Sequence, residues 1–171
     1  MTPIVRKAKP EDADTILRLI DALADYEHLA PPDAAAKKRL VHDMFGERPR
    51  IEPFLCDIDG VAAGYALVFE SYSSFLALPT LYLEDLFVLP AYRHSGTGAA
   101  LFLAMTREAT SRGCGRMEWT VLDWNSLALQ FYQRFEAVQM NEWKLFRLTA
   151  VQLASLSNPD QHTNGRIPAS P

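Results

Sequence analysis

The chain has 171 residues, 49% of them apolar, a formal net charge of −4 and two cysteines. That is enough chain for one compact domain with a sizeable core, while the slight acidity argues against a nucleic-acid binder driven by counterion release. No run approaches the roughly 18 apolar residues that a membrane span requires, and two cysteines speak for a reducing compartment rather than a disulfide framework.

IVRKA at 4–8 reads as a short strand, and Pro10-Glu11-Asp12 as an acidic helix start. Ile16, Leu19, Ile20 and Leu23 then recur at helical spacing up to Tyr26, and Pro31-Pro32 stops that helix. DAAAKKRLVHDMF predicts a second helix ended by Gly46. IEPFLCDID and VAAGYALVFE flank Asp59-Gly60, a two-residue hairpin signal. A loop is expected over 71–79, then LYLEDLFVL as a strand stopped by Pro90. GAALFLAMTREATSR predicts a helix, RMEWTVL a strand, NSLALQFYQRF a helix and EWKLFRL a last strand. The order β-α-α-β-β-β-α-β-α-β implies a mixed α/β sheet in a single domain over 1–154, followed by a polar, mobile end over 155–171. The N-terminal MTPIVRKAKPED carries no apolar signal core, so the protein is expected in the cytoplasm with a small ligand, without a nucleic-acid or membrane partner.

The chemistry concentrates in three places. The first is AYRHSGTGAALF at 91–102, where Gly96 and Gly98 stand between a strand and a helix. Such loops leave backbone N–H groups at a helix start, where they can hold phosphate. No Lys-Ser or Lys-Thr follows, so this is not a Walker A loop, and Leu101 occupies the place of the third glycine of a dinucleotide fingerprint. A tight turn with no ligand also accounts for two glycines. Arg93, three residues before Gly96, makes the pattern Arg-x-x-Gly-x-Gly. The second place is VLDWNSLALQFYQRFEA, where Asn125 and Tyr132 are seven residues apart and share a helix face. Asn125 as a simple cap and Tyr132 as a core aromatic is the alternative. The third is Glu84-Asp85 inside an apolar strand. Alternation sends the two carboxylates to opposite faces, Asp85 alongside Leu83 and Phe87, and at least one must meet solvent, a cation or a ligand. The four histidines show no metal-ligand spacing.

The glycine loop resembles the pyrophosphate-binding signature of the GNAT acetyltransferase superfamily, Gln/Arg-x-x-Gly-x-Gly/Ala. The wider pattern, from DTILRLIDALADYE through LYLEDLFVLPAYR to EWKLFRL, resembles the diamine acetyltransferases, which include the spermidine/spermine and thialysine enzymes. The resemblance implies a mainly antiparallel twisted sheet with flanking helices and a parallel pair splayed around acetyl-CoA. It implies cofactor contacts from the backbone of Leu86, Phe87 and Val88. Arg93, His94, Ser95, Gly96, Thr97, Gly98 and Ala99 would hold the pyrophosphate, and Asn125, Ser126, Leu127 and Ala128 would complete the cleft. Tyr26, Glu27, Glu84, Glu118, Trp119 and Thr120 fall at acceptor positions. Tyr132 would protonate the leaving thiolate and Glu84 relay the amine's proton; no metal is called for, and a homodimer is implied. Three departures stand out. SYSSFLALPT lacks the acidic and Trp residues that the polyamine enzymes carry, which leans towards the thialysine branch. His94-Ser95 replaces the usual Gly-x, and Glu136 stands where a Gly follows the Tyr-bearing helix. The expected activity is acetyl transfer to a small cationic amine by direct attack. A non-catalytic acyl-CoA sensor, or an enzyme for protein N-termini or aminoglycosides, is the alternative.

Overall fold

The structure, a computed structural model, describes residues 2–158. The chain falls into two compact units, Met1–Leu122 and Asp123–Pro171. The first contains, in chain order, β1 (Ile4–Lys7), α1 (Ala13–Tyr26), α2 (Ala34–Phe45), β2 (Glu52–Ile58), β3 (Val61–Ser73), β4 (Leu78–Val88), α3 (Thr97–Ser111) and β5 (Arg116–Glu118). The strands lie in the order β1-β2-β3-β4-β5; the first three ladders are antiparallel and β4–β5 is parallel. The Asp59-Gly60 hairpin forms as expected, both residues at positive φ (49° and 80°) and Ile58 paired with Val61.

Each face of the sheet takes its own helices. On one, Ile16 and Leu19 of α1 and Met44 of α2 meet Leu55, Tyr65, Leu67 and Phe87 in a buried cluster. On the other, α3 packs Leu101, Phe102, Met105 and Ala109 over the buried Ala66, Val68, Leu81 and Leu83. Burying one such large side chain is worth about 1.5–3 kcal/mol, so the α1 cluster anchors the end of β4 firmly beneath α1.

The ladder between β3 and β4 carries a bulge that the alternation pattern does not reveal. Leu67 pairs with Asp85 and Val68 with Leu83, which leaves Glu84 as the extra residue. Leu83 therefore faces α3 with Val68, whereas Asp85 faces α1 with Leu67 and Phe87. This corrects the simple alternation, which put Leu83 and Asp85 on one face. The expected loop over 71–79 is also shorter. β3 and β4 run on to Ser73 and from Leu78, and only residues 74–77 turn.

β5 is only three residues long, shorter than RMEWTVL. It pairs with Thr80, Leu81 and Tyr82, so from Leu83 to Val88 the β5 side of β4 has no strand partner among the described residues. The second unit contains α4 (Ser126–Gln133) and α5 (Ala150–Leu156). EWKLFRL forms no strand among the described residues, a correction to the expected last strand. α5, which the apolar spacing does not predict, is capped by Thr149, with Gln152 returning to the Thr149 N–H at 2.8 Å. The mobile end expected over 155–171 lies outside the described residues from 159 onward.

Candidate active site

The glycine loop ends where α3 begins. Gly96, the residue before the helix, has φ 87° and no side-chain cap, and the first intrahelical bond runs from the Ala100 N–H to the Gly96 carbonyl at 2.9 Å. The N–H groups of Thr97, Gly98 and Ala99 thus have no partner within the helix and point out of its positive end. His94 also turns through positive φ (63°), and both His94 and Gly96 are exposed. Ser95 braces the turn: its Oγ donates to the Tyr92 carbonyl at 2.6 Å and lies 2.7 Å from Thr97 Oγ1. These amides, with the helix dipole, fit a diphosphate, and the small Gly98, Ala99 and Ala100 leave room for one to come close.

Arg93 ties the loop to the strand and helix beside it. Its guanidinium lies 4.5 Å from the Tyr26 ring centre and 5.9 Å from that of Phe87, and its Nε donates to the Val88 carbonyl at 3.2 Å. Tyr26 in turn lies 6.3 Å from Phe87. The end of α1, the end of β4 and the start of the loop therefore share one corner. Leu86, Phe87 and Val88 pair with Ala66, Tyr65 and Gly64 on one side only, so backbone groups turned to the β5 side are available to a ligand.

The same corner is acidic. Glu84 stands exposed at the bulge, and Asp85 is partly buried beside it with its Oδ2 accepting from the Tyr65 hydroxyl at 2.9 Å. Burial pushes the Asp85 carboxyl up to about 6; the Tyr65 bond opposes this, while Glu84 and Glu27 push the same way. Burial also raises Glu27, at the end of α1. Tyr65, buried and facing these carboxylates, is held far above the ordinary phenol range, by burial first and Asp85 next. Of the Glu84-Asp85 pair it is Asp85 that is partly buried, and Tyr65, which the sequence does not single out, is its partner. A carboxylate among inward-facing apolar neighbours is the signal in the sequence, but without the bulge simple alternation puts its face together with that of Leu83.

Other expected acceptor residues are engaged differently. Trp119 sets its ring edge-on against Phe102 of α3 at 5.4 Å, Glu118 pairs with Arg116 at 3.1 Å, and Thr120 is exposed. In the second unit, Asn125 caps α4, its Oδ1 accepting from the Ala128 N–H at 3.1 Å, with Ser126 and Leu127 exposed in the first turn. Tyr132 lies in the last turn of α4, its ring edge-on to Phe131 at 5.1 Å, and burial pushes its hydroxyl up to about 12. It is therefore a protonated donor throughout the neutral range. After α4, Glu136 takes the left-handed conformation, φ 58°, that a glycine would adopt without strain.

The acetyltransferase (GNAT) family model matches residues 16–136. An L-ornithine N5-acetyltransferase of Arabidopsis thaliana is 43% identical over 197 residues, covering 89% of this chain and 86% of its own. A thialysine N-epsilon-acetyltransferase of Bos taurus is 32% identical over 165 residues, covering 90% and 96%. Among solved structures, an integron cassette protein from the mobile metagenome of V. cholerae superposes with a TM-score of 0.76 at 21% identity, over 91% of this chain and 98% of its own. AAC(6')-Iy in complex with a bisubstrate analog superposes with a TM-score of 0.70 at 21% identity, over 87% and 99%. At those identities the likeness of the structures concerns the fold alone, whereas the family match and the sequence relatives reach further. The chain belongs to the GNAT acetyltransferase family and is an acetyl-CoA-dependent N-acetyltransferase.

Proposed function

We propose that this chain acetylates the side-chain amine of a small cationic acceptor, of the ornithine or thialysine kind. The observation that carries this is the acidic corner made by Glu27, Glu84 and Asp85 next to the strand that leads into the glycine loop. A cationic amine is attracted there, and a neutral or anionic one gains nothing. The names of the ornithine and thialysine relatives support the same class. The uncharged turn at 74–77 offers no carboxylate for the far end of a long polyamine.

In this reading the Thr97–Ala99 amides, with the turn from Arg93 to Gly96, hold the diphosphate of acetyl-CoA, and Asn125–Ala128 line its pantetheine arm. Backbone N–H groups of Leu86–Val88 polarise the thioester carbonyl. Tyr26, Glu27 and Glu84 receive the acceptor, with Glu118, Trp119 and Thr120 further along the same sheet edge. An alkylamine of pKa about 10.4 is charged at pH 7.4, and removing its proton costs about 4 kcal/mol, so the amine must meet a base as well as a binding site. Tyr132 gives its proton to the departing sulfur. The two cysteines are free thiols, which fits a cytoplasmic setting, and the turn carrying the 98%-exposed Phe75 is the surface that a second copy would cover in a homodimer.

The test is thiol release from acetyl-CoA over a panel of ornithine, thialysine, lysine, putrescine, spermidine, neutral amines and peptides. Short diamino acids should exceed spermidine and neutral amines by about tenfold or more in kcat/KM. A ranking led by neutral or anionic amines sinks the proposal. Light scattering of the purified chain checks the dimer.

A further inference from the structure

Beyond the acidic corner, the α1 face of the sheet carries a second group of side chains. Asp85 pairs with Leu67 on that face, and two β3 residues further along Phe69 pairs with Tyr82 on the same side. The two rings lie 5.0 Å apart, tilted by 35°. Both are half-buried, and they stand outside the apolar cluster beneath α1 and α2. β5 continues the strip, because its ladder sets Glu118 beside Tyr82 and Arg116 beside Thr80. Met117 between them pairs with Leu81, which is buried towards α3, so Arg116 and Glu118 project to the α1 side. Arg116 Nε lies 3.1 Å from Glu118 Oε1, with 45% and 43% of the two side chains exposed. An ion pair so open to water adds little to the fold. The Arg116 Nη groups donate no hydrogen bond among the described residues, so that side of the guanidinium is open. Carboxylates, an aromatic pair and an ion pair thus follow one another along one face.

We propose that Arg116 reads the α-carboxylate of the acceptor and Glu118 its α-ammonium, while Phe69 and Tyr82 carry the methylenes, so that this strip selects diamino acids over diamines. This rests on the cationic-amine reading above. An α-amino acid head is a zwitterion, and a cation and an anion side by side are its complement. A diamine brings a cation alone and leaves the arginine unanswered. The open side of the guanidinium offers two N–H donors in the fork that a carboxylate accepts. The two rings give a flat apolar surface on which a short alkyl chain can lie. Tyr82 and Glu118 stand two residues of strand from the level of Asp85, about 7 Å. A side-chain ammonium at the acidic corner therefore places the α-carbon of a short diamino acid at the ion pair. No bond is made or broken on this strip; it decides which amine is presented.

The experiment is initial-rate kinetics with two matched pairs, ornithine against putrescine and lysine against cadaverine, each diamine being its amino acid without the carboxylate. The proteins are the wild type, Arg116→Gln, Arg116→Lys and Tyr82→Ala. The wild type should favour each amino acid over its diamine by about tenfold or more in kcat/KM. Arg116→Gln should raise the KM for ornithine about tenfold or more with kcat nearly unchanged, and leave the KM for putrescine within about twofold. Arg116→Lys should recover part of that loss, because it restores the charge without the fork. Tyr82→Ala should raise the KM of both members of a pair alike, since the methylenes are common to both. Equal losses for ornithine and putrescine in Arg116→Gln overturn the proposal and leave the acetyltransferase reading standing. So does a wild type that takes putrescine as readily as ornithine. Absence of thiol release with every cationic amine overturns the substrate reading, and this proposal with it.

Discussion

Arg93 makes three contacts with two elements through one guanidinium: it stacks over Tyr26 of α1, approaches the Phe87 ring of β4 and donates to the Val88 carbonyl at the end of that strand. A flat, delocalised cation can stack and donate at once; an ammonium can do only one well. Arg93→Ala should therefore cost about 1–2 kcal/mol of stability and raise the KM for acetyl-CoA, because the loop loses its tether. Arg93→Lys should recover little of either, as melting curves and initial rates would show; full recovery by lysine would mean that charge alone matters. Tyr132 gives a second prediction at this scale. Its hydroxyl, raised to about 12, is protonated at every pH where the enzyme would be assayed. Tyr132→Phe should lower kcat by about a hundredfold with the amine KM nearly unchanged. Turnover of Tyr132→Phe equal to that of the wild type across the pH range would remove the tyrosine from the acid role.

Of the turns that carry left-handed residues, the two that flank α3 at its start and α4 at its end have occupants with opposite consequences. At the start of α3, Gly96 has φ 87°, and a Cβ there would meet nothing nearer than Pro3 at 3.9 Å. The cost of Gly96→Ala is thus conformational, about 1–2 kcal/mol, and it should appear as a weaker grip on acetyl-CoA as the loop relaxes away from the helix start. After α4, Glu136 already bears that strain at φ 58°. Glu136→Gly should stabilise the protein by about 1 kcal/mol and raise Tm by about 2–4 °C; an unchanged or lower Tm would show that the glutamate side chain contributes a compensating contact. Both turns were visible in the amino acids, one as a glycine after a strand and the other as a missing glycine after a helix. The hairpin at Asp59-Gly60 was equally legible, because type I′ geometry demands those residues. The bulge at Glu84 was not, since no glycine or proline marks it and only the register with β3 reveals the extra residue. The face of Asp85 is hidden with it, because that face follows from the register. The alternating pattern of EWKLFRL signals an apolar face, but pattern alone supplies no partner strand, and none is formed.

Charge balance over the whole molecule opposes itself at two pH ranges, and the acidic corner lies at the centre of that opposition. Arg6 bonds both Asp12 and Asp57 at 2.7 Å and holds the Asp12 carboxyl down to about 2. Arg112 similarly lowers Glu52. Such depressed carboxyls stabilise the fold above their unfolded titration range, and that contribution disappears as pH falls through the folded value. Asp85 has the reverse sign. Its folded value of about 6 exceeds the ordinary 3.8, so its contribution is fully present below about 4 and is lost as pH rises through 6. At neutral pH the ionised, partly desolvated carboxylate then weighs against folding by on the order of 3 kcal/mol. Asp85→Asn keeps an acceptor for the Tyr65 hydroxyl and removes the charge, so it should melt higher than the wild type at pH 8 and about equally at pH 4. The difference in Tm between the two proteins should open between those values, because every other titrating group is common to both. Parallel melting curves across that range would show that Asp85 carries no such penalty.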